Sequence, residues 1–277
     1  MKLYKTQNGI VIEKDNSYYL LKDETWDSFI NDDHLYEKMK NVTSNLAADP
    51  RGKNLIDNLL APLGNQEIWA SGVTYYRSRE GRQEESKGSG GGDFYARVYE
   101  AERPELFFKA LAHRTVGPGG KVRIRKDSGW DVPEPELTLL ITSSGKIVGY
   151  TVGNDMSSRS IEGENPLYLP QAKNYDGCAS VGPCVYVSPS PLSQDTLIQM
   201  EVIRTGEKVF EGSIDIGQIK RKLTDIVKYL YRECSFPYGS MLMTGTGIVP
   251  GKEFTLQKKD EIRITIEPIG TLVNFVE

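Results

Sequence analysis

Histidine and cysteine are scarce in this 277-residue chain, and the scarcity removes several chemistries at once. His34 and His113 are the only imidazoles, so a His-rich metal site is excluded and a His-dependent triad would have to use one of those two. Cys178, Cys184 and Cys234 are odd in number and lack metal-ligand spacing, so reduced, buried thiols in a cytoplasmic protein are expected. No apolar run approaches the roughly 20 residues of a membrane-spanning helix. The opening M-K-L-Y-K-T-Q-N-G holds no apolar signal core. Basic runs are missing too, and a net charge of −4 gives no footprint for nucleic acid or an anionic membrane. There is no internal repeat.

What is present is an ordinary globular composition, 38% hydrophobic and 26% charged, in a chain long enough for one large or two modest domains. Residues 1–65 read as a small leading unit: short strands around L-Y-K-T, I-V-I-E and S-Y-Y-L-L, then polar helical sequence ending near Pro62. Residues 66–277 change to short strands and glycine turns. An α+β, mainly β catalytic domain is expected there. Arg221–Cys234 reads as its best helix and F-F-K-A-L-A-H-R, ending at Arg114, as another.

Three carboxylates stand out in this second region: Glu134 and Glu136 in V-P-E-P-E-L, and Asp155 in G-N-D-M-S-S-R. Pro133 and Pro135 force an extended chain, and side chains two apart on a strand share a face. The apolar runs Leu137–Thr142 and Ile147–Val152 flank Ser143-Ser144-Gly145-Lys146, a hairpin turn. With Ser144 and Gly145 as a two-residue loop, Glu136 faces Gly153 and Glu134 faces Asp155, so the three carboxylates converge. Carboxylates that close repel unless some protonate or a cation lies among them. An oxygen-only set suits Mg²⁺, with Mn²⁺ or Ca²⁺ as the other hard cations, rather than zinc.

The ordered set G-V-T-Y at 72–75, P-E-P-E-L at 133–137, G-Y-T-V-G-N-D-M-S-S-R at 149–159, Q-A-K-N-Y-D-G at 171–177 and T-G-T at 244–246 resembles the fumarylacetoacetate hydrolase superfamily. The resemblance covers roughly residues 66–277. It implies a mixed β-roll or barrel, a divalent metal on Glu134, Glu136 and Asp155, Lys173 reaching toward a metal-bound substrate, and Thr246 at the substrate's carboxylate end. It also implies a homo-oligomer, a dimer or tetramer. One departure selects a branch. Family hydrolases carry a water-activating His at the position of Ser78, and serine is no base near neutral pH without a partner. The runs A-E-R-P-E-L-F-F-K-A at 101–110 and E-N-P-L-Y-L-P-Q-A-K at 164–173 are most similar to members that dehydrate 2-keto-3-deoxy sugar acids.

Such a 2-keto acid, a small-molecule partner, can chelate Mg²⁺ through its carboxylate and ketone oxygens, which acidifies the C3 protons. Lys173 is then either the base or a charged support for the enolate. The glycine-rich stretch 78–92 reads as a lid, with Glu84 and Glu85 as acids for the departing hydroxyl. Tyr75, Arg77 and Ser78 are expected at the substrate, and Arg159 as a buttress of the Asp155 turn. Two rival readings stay open: a hydrolase or decarboxylase of acylpyruvates or oxaloacetate on the same scaffold, and a 2-keto-acid-binding metalloprotein without turnover.

Overall fold

The structure, a computed structural model, describes residues 1–78 and 92–277. Strands hold 35% of the residues against 22% in helices, and the mainly β expectation stands. Ten strands form one mixed sheet. Its order runs Ser17–Leu21, Gly9–Lys14, Lys2–Thr6, Ala179–Tyr186, Ile147–Asp155, Pro135–Ile141, Ser240–Met243, Glu67–Ala70 and Phe107–Ala110, with Thr115–Val116 beside Ala179–Tyr186. A second sheet of five strands is built from Glu207–Asp215, Leu197–Arg204, Glu261–Ile266, Gly270–Val276 and Lys121–Val122. Both orders are open, and the described residues form no closed barrel. The leading strands extend the large sheet, because Lys2 pairs with Tyr186 and Leu3 with Val185.

Every residue of Pro135–Ile141 is buried. Leu137, Leu139 and Ile141 pack in one core with Ile198, Met200, Ile262, Ile264 and Leu272 of the smaller sheet. On the opposite face Leu140 joins Met241, Met243, Phe29, Ile30 and Met39, which come largely from helices Trp26–Ile30 and Leu35–Asn45. A strand covered on both faces needs apolar residues at consecutive positions, which is why L-T-L-L-I reads as a continuous run rather than an alternation.

The site hairpin reaches its expected register by an unexpected route. Thr142 N–H donates to Lys146 O, so the loop is the three residues Ser143, Ser144 and Gly145, with Gly145 at φ +84°. That shifts the ladder by one residue, to Ile147 opposite Ile141. A bulge at Val148 then restores it, with Gly149 opposite Leu140 and Gly153 opposite Glu136. Glu134 and Asp155 exchange both backbone hydrogen bonds, at 3.2 and 2.9 Å.

Two helix readings are corrected. F-F-K-A is the edge strand Phe107–Ala110, followed by a short 3-10 turn over Ala112–Arg114 in which His113 is exposed. The helix expected over 221–234 spans Leu223–Leu230. Ile226, Val227 and Leu230 are buried and Tyr231, at the C-cap, packs on the same core, whereas Arg232, Glu233 and Cys234 beyond it are exposed. Of the three thiols, Cys178 and Cys184 are buried and Cys234 is exposed. No helix among the described residues is long and apolar enough to cross a membrane.

Candidate active site

Topology brings four chain segments to one edge of the large sheet. Ser240–Met243 and Glu67–Ala70 run parallel, so their C-terminal ends, continuing into Thr244-Gly245-Thr246 and Ser71-Gly72-Val73, emerge together. Pro135–Ile141 is antiparallel to Ser240–Met243 and starts at that edge, and Ile147–Asp155 ends there. A narrow cleft with a cavity volume of about 20 Å³ lies at this edge, lined among others by Val73, Ser78, Phe107, Lys173, Thr246 and the three carboxylates.

Oxygens of Glu134, Glu136 and Asp155 lie within 4.8 Å of one another, and all three residues are buried. Burial first, and then the charges of Asp155 and Glu134, push the Glu136 carboxyl well above its ordinary value of 4.5. Gly245 N–H opposes this by donating to Glu136 Oε2 at 2.5 Å. Gly245 sits at φ +90°, and a Cβ there would stand 2.1 Å from Thr74 Oγ1, so only glycine brings this amide so close. Val73, also in the cleft wall, has φ +54°, a costly conformation for a β-branched residue.

Cations brace the carboxylates. Lys173 Nζ lies 2.6 Å from Glu134 Oε2, 3.0 Å from Asp155 Oδ2 and 3.3 Å from Glu162 Oε1, and it donates to Ser157 Oγ at 2.5 Å. Arg159 Nη1 donates to Glu134 Oε1 at 3.0 Å, so this arginine braces Glu134. Lys109, fully buried, lies 2.5 Å from Asp155 Oδ1 and donates to the carbonyls of Met156 and Lys173 at 2.9 and 2.5 Å. The Lys173 carbonyl is at the C-terminus of helix Leu169–Lys173, where unbonded carbonyls favour a cation. In this cluster four carboxylates, with Glu162, face three cations. An all-oxygen, crowded and buried triad of this kind fits a hard divalent ion such as Mg²⁺.

The other expected site residues fall in different places. Thr246 lines the cleft, its hydroxyl 3.3 Å from Ile248 O and 3.2 Å from Ile248 N. Ser78 also lines it, but its hydroxyl donates to Tyr75 O at 2.7 Å and accepts from Tyr75 N–H. Tyr75 is 1% exposed within the core, its hydroxyl without a hydrogen-bond partner among the described residues. Arg77 is exposed and outside the cleft lining. Glu84 and Glu85 lie outside the described residues. Sequence reading missed Lys109, Glu162 and Glu105, whose carboxylate packs so close to Gly72 that a Cβ there would be 2.0 Å from it.

Residues 82–277 match the family described as Fumarylacetoacetate (FAA) hydrolase C-terminal. The chain belongs to that family. Among curated relatives, a Haloferax volcanii protein named probable 2-keto-3-deoxyxylonate dehydratase is 49% identical over 217 residues, 78% of this chain and 73% of the relative. The 2-dehydro-3-deoxy-D-arabinonate dehydratase of Saccharolobus solfataricus is 44% identical over 220 residues, with the same shares covered. A solved 2-keto-3-deoxy-D-arabinonate dehydratase complexed with magnesium and 2,5-dioxopentanoate superposes with a TM-score of 0.83 at 34% identity, covering 100% of this chain and 99% of that one. The apo form of the dehydratase gives 0.85, also at 34%. Within this fumarylacetoacetate hydrolase family, then, the chain is similar to sugar-acid dehydratases both in sequence and in shape.

Proposed function

We propose that the protein is a Mg²⁺-dependent hydro-lyase that converts a five-carbon 2-keto-3-deoxy sugar acid to 2,5-dioxopentanoate. The observation that carries this reading is the convergence of Glu134, Glu136 and Asp155 with Lys173 at one cleft, in a chain 44% and 49% identical to dehydratases of such acids. Glu134, Glu136 and Asp155 would hold the ion, whose Lewis acidity polarises the C2 ketone and acidifies C3.

The chain's own groups do the rest. Thr246, across the cleft, supplies a hydroxyl for the substrate's carboxylate end. Lys173 has three carboxylates within 3.3 Å, an environment that favours an ammonium over a free base. It therefore supports negative charge developing on the C2 oxygen. Glu105, half-buried against Gly72 of the cleft wall, would take a C3 proton and return one to the departing C4 hydroxyl. Loss of that water leaves a C3–C4 double bond; a proton lost from C5 and one regained at C3 then give the C5 enol, which ketonises to the aldehyde. No attacking water is needed, in keeping with Ser78 at the hydrolases' histidine position. Arg77 and Tyr75 remain proposed substrate neighbours, as do Glu84 and Glu85 as alternative acids.

Residues 66–277 carry this site in the proposal, with residues 1–65 as a leading unit. A cytoplasmic location suits three cysteines that form no disulfide. A homo-oligomer, dimer or tetramer, suits the exposed Leu197, Val209 and Phe275 on the smaller sheet. The test compares substrates: with Mg²⁺ present, 2-keto-3-deoxypentonate should yield 2,5-dioxopentanoate, and an acylpyruvate should stay intact. Cleavage of the acylpyruvate with no dioxopentanoate formed would sink the dehydratase reading.

A further inference from the structure

Two carboxylates and two cations alternate in a closed ring beside the metal triad. Glu134 accepts from Arg159 Nη1 through Oε1 at 3.0 Å and from Lys173 Nζ through Oε2 at 2.6 Å. Glu162 faces the same two cations, with Oε2 3.6 Å from Arg159 Nε and Oε1 3.3 Å from Lys173 Nζ. All four side chains are buried, Glu162 at 2% exposure. Arg159 and Glu162 are three residues apart on the short helix Arg159–Glu164, and so share its inner face. Its N-terminus is fixed by the Ser158 hydroxyl, which accepts from Ile161 N–H.

The two carboxylates are not equivalent. Glu134 belongs to the triad, so any divalent ion bound there competes with Lys173 and Arg159 for its oxygens. A buried cation that loses its partner is strongly destabilised. Glu162 is not a member of the triad, so it keeps its charge for both cations when Glu134 is shared.

We propose that Glu162 is a positioning residue for the reaction: it receives Lys173 and Arg159 as Glu134 turns to the metal, and thereby makes the ion's entry compatible with a charged, correctly placed Lys173. The inference rests on the reading of the triad as the metal site given above. It assigns Glu162 no contact with substrate. Its neutral isostere keeps the shape and one acceptor oxygen but holds no charge for the released cations. In Glu162→Gln, Lys173 and Arg159 therefore stay on Glu134 and oppose the ion.

The experiment uses Mn²⁺ alone as the probe, titrated without substrate into wild-type protein, Glu162→Gln and Glu162→Asp, and followed by electron paramagnetic resonance. Glu162→Gln should bind Mn²⁺ at least about tenfold more weakly, and Glu162→Asp, which keeps the charge, should recover most of the loss. A role limited to fold stability would lower the melting temperature and leave Mn²⁺ affinity where it was. Crystals of the wild-type protein with and without Mn²⁺ cover the case of a variant that does not fold: Lys173 Nζ should move toward Glu162 in the loaded form. Wild-type affinity in a folded Glu162→Gln protein, or Lys173 unmoved on Glu134 in loaded crystals, overturns the inference. Failure of the wild-type protein itself to bind Mn²⁺ overturns instead the reading of the triad on which it rests.

Discussion

Lys173→Met should lower kcat by about 10³-fold while leaving metal affinity equal to wild type or higher. The ammonium is the cation that touches Glu134 and Asp155 at once, and its removal frees oxygens that a divalent ion would otherwise share with it. Binding of the ion is thus helped or untouched, while the charge that develops at the substrate's C2 oxygen loses its protein donor. The methionine fills similar volume in a site where Phe107 already packs 5.7 Å from the amine. Steady-state kinetics paired with Mn²⁺ titration separates the two effects. A kcat within about threefold of wild type would remove Lys173 from the chemistry.

Lys109→Met should act on stability. It leaves Asp155 Oδ1 without the cation 2.5 Å away and withdraws the donor from the Met156 and Lys173 carbonyls, all in a place with no solvent. Breaking a buried pair from one side costs roughly 3–5 kcal/mol. For a chain of this size that is a fall in melting temperature on the order of 10 °C. Mg²⁺ should restore part of it, because an ion on the triad again offers Asp155 a positive neighbour and stabilises the folded state by mass action. Thermal melts with and without Mg²⁺ measure both. A fall smaller than about 2 °C would show that Lys109 is dispensable to the site's architecture.

Lys109 also marks the limit of what the chain discloses by itself. In F-F-K-A-L-A-H-R the apolar residues satisfy a helical and a strand period equally, and the helix reading put the lysine on no particular face. Its burial follows from pairing with Glu67–Ala70, a contact between distant segments that no local pattern encodes. Glu162 is similar: its spacing from Arg159 shows that the two share a face, but not that Lys173 lies opposite.

The triad was legible because its evidence is local. Two prolines fix an extended chain, strand parity places Glu134 and Glu136 together, and one hairpin delivers Asp155. Even there the loop has three residues and not two, and the register at the carboxylates survives because the Val148 bulge reverses the shift. Parity at a site is thus more robust than the turn that sets it, provided that the shifts between them cancel. The placing of Thr246 in the same cleft was legible only through resemblance, since T-G-T-G taken locally is a turn. The mainly β architecture was likewise readable, while the open strand order was not, because it depends on which distant edges pair.

In the proposed reaction a divalent ion held by Glu134, Glu136 and Asp155 carries the dehydration. The most direct test strips the protein of metal and adds Mg²⁺ back while ¹³C NMR follows 2-keto-3-deoxypentonate, in parallel with Glu136→Gln. 2,5-Dioxopentanoate should form in proportion to the Mg²⁺ restored, and Glu136→Gln should form none. Product formed by the metal-free protein, or at the wild-type rate by Glu136→Gln, would contradict that role of the ion.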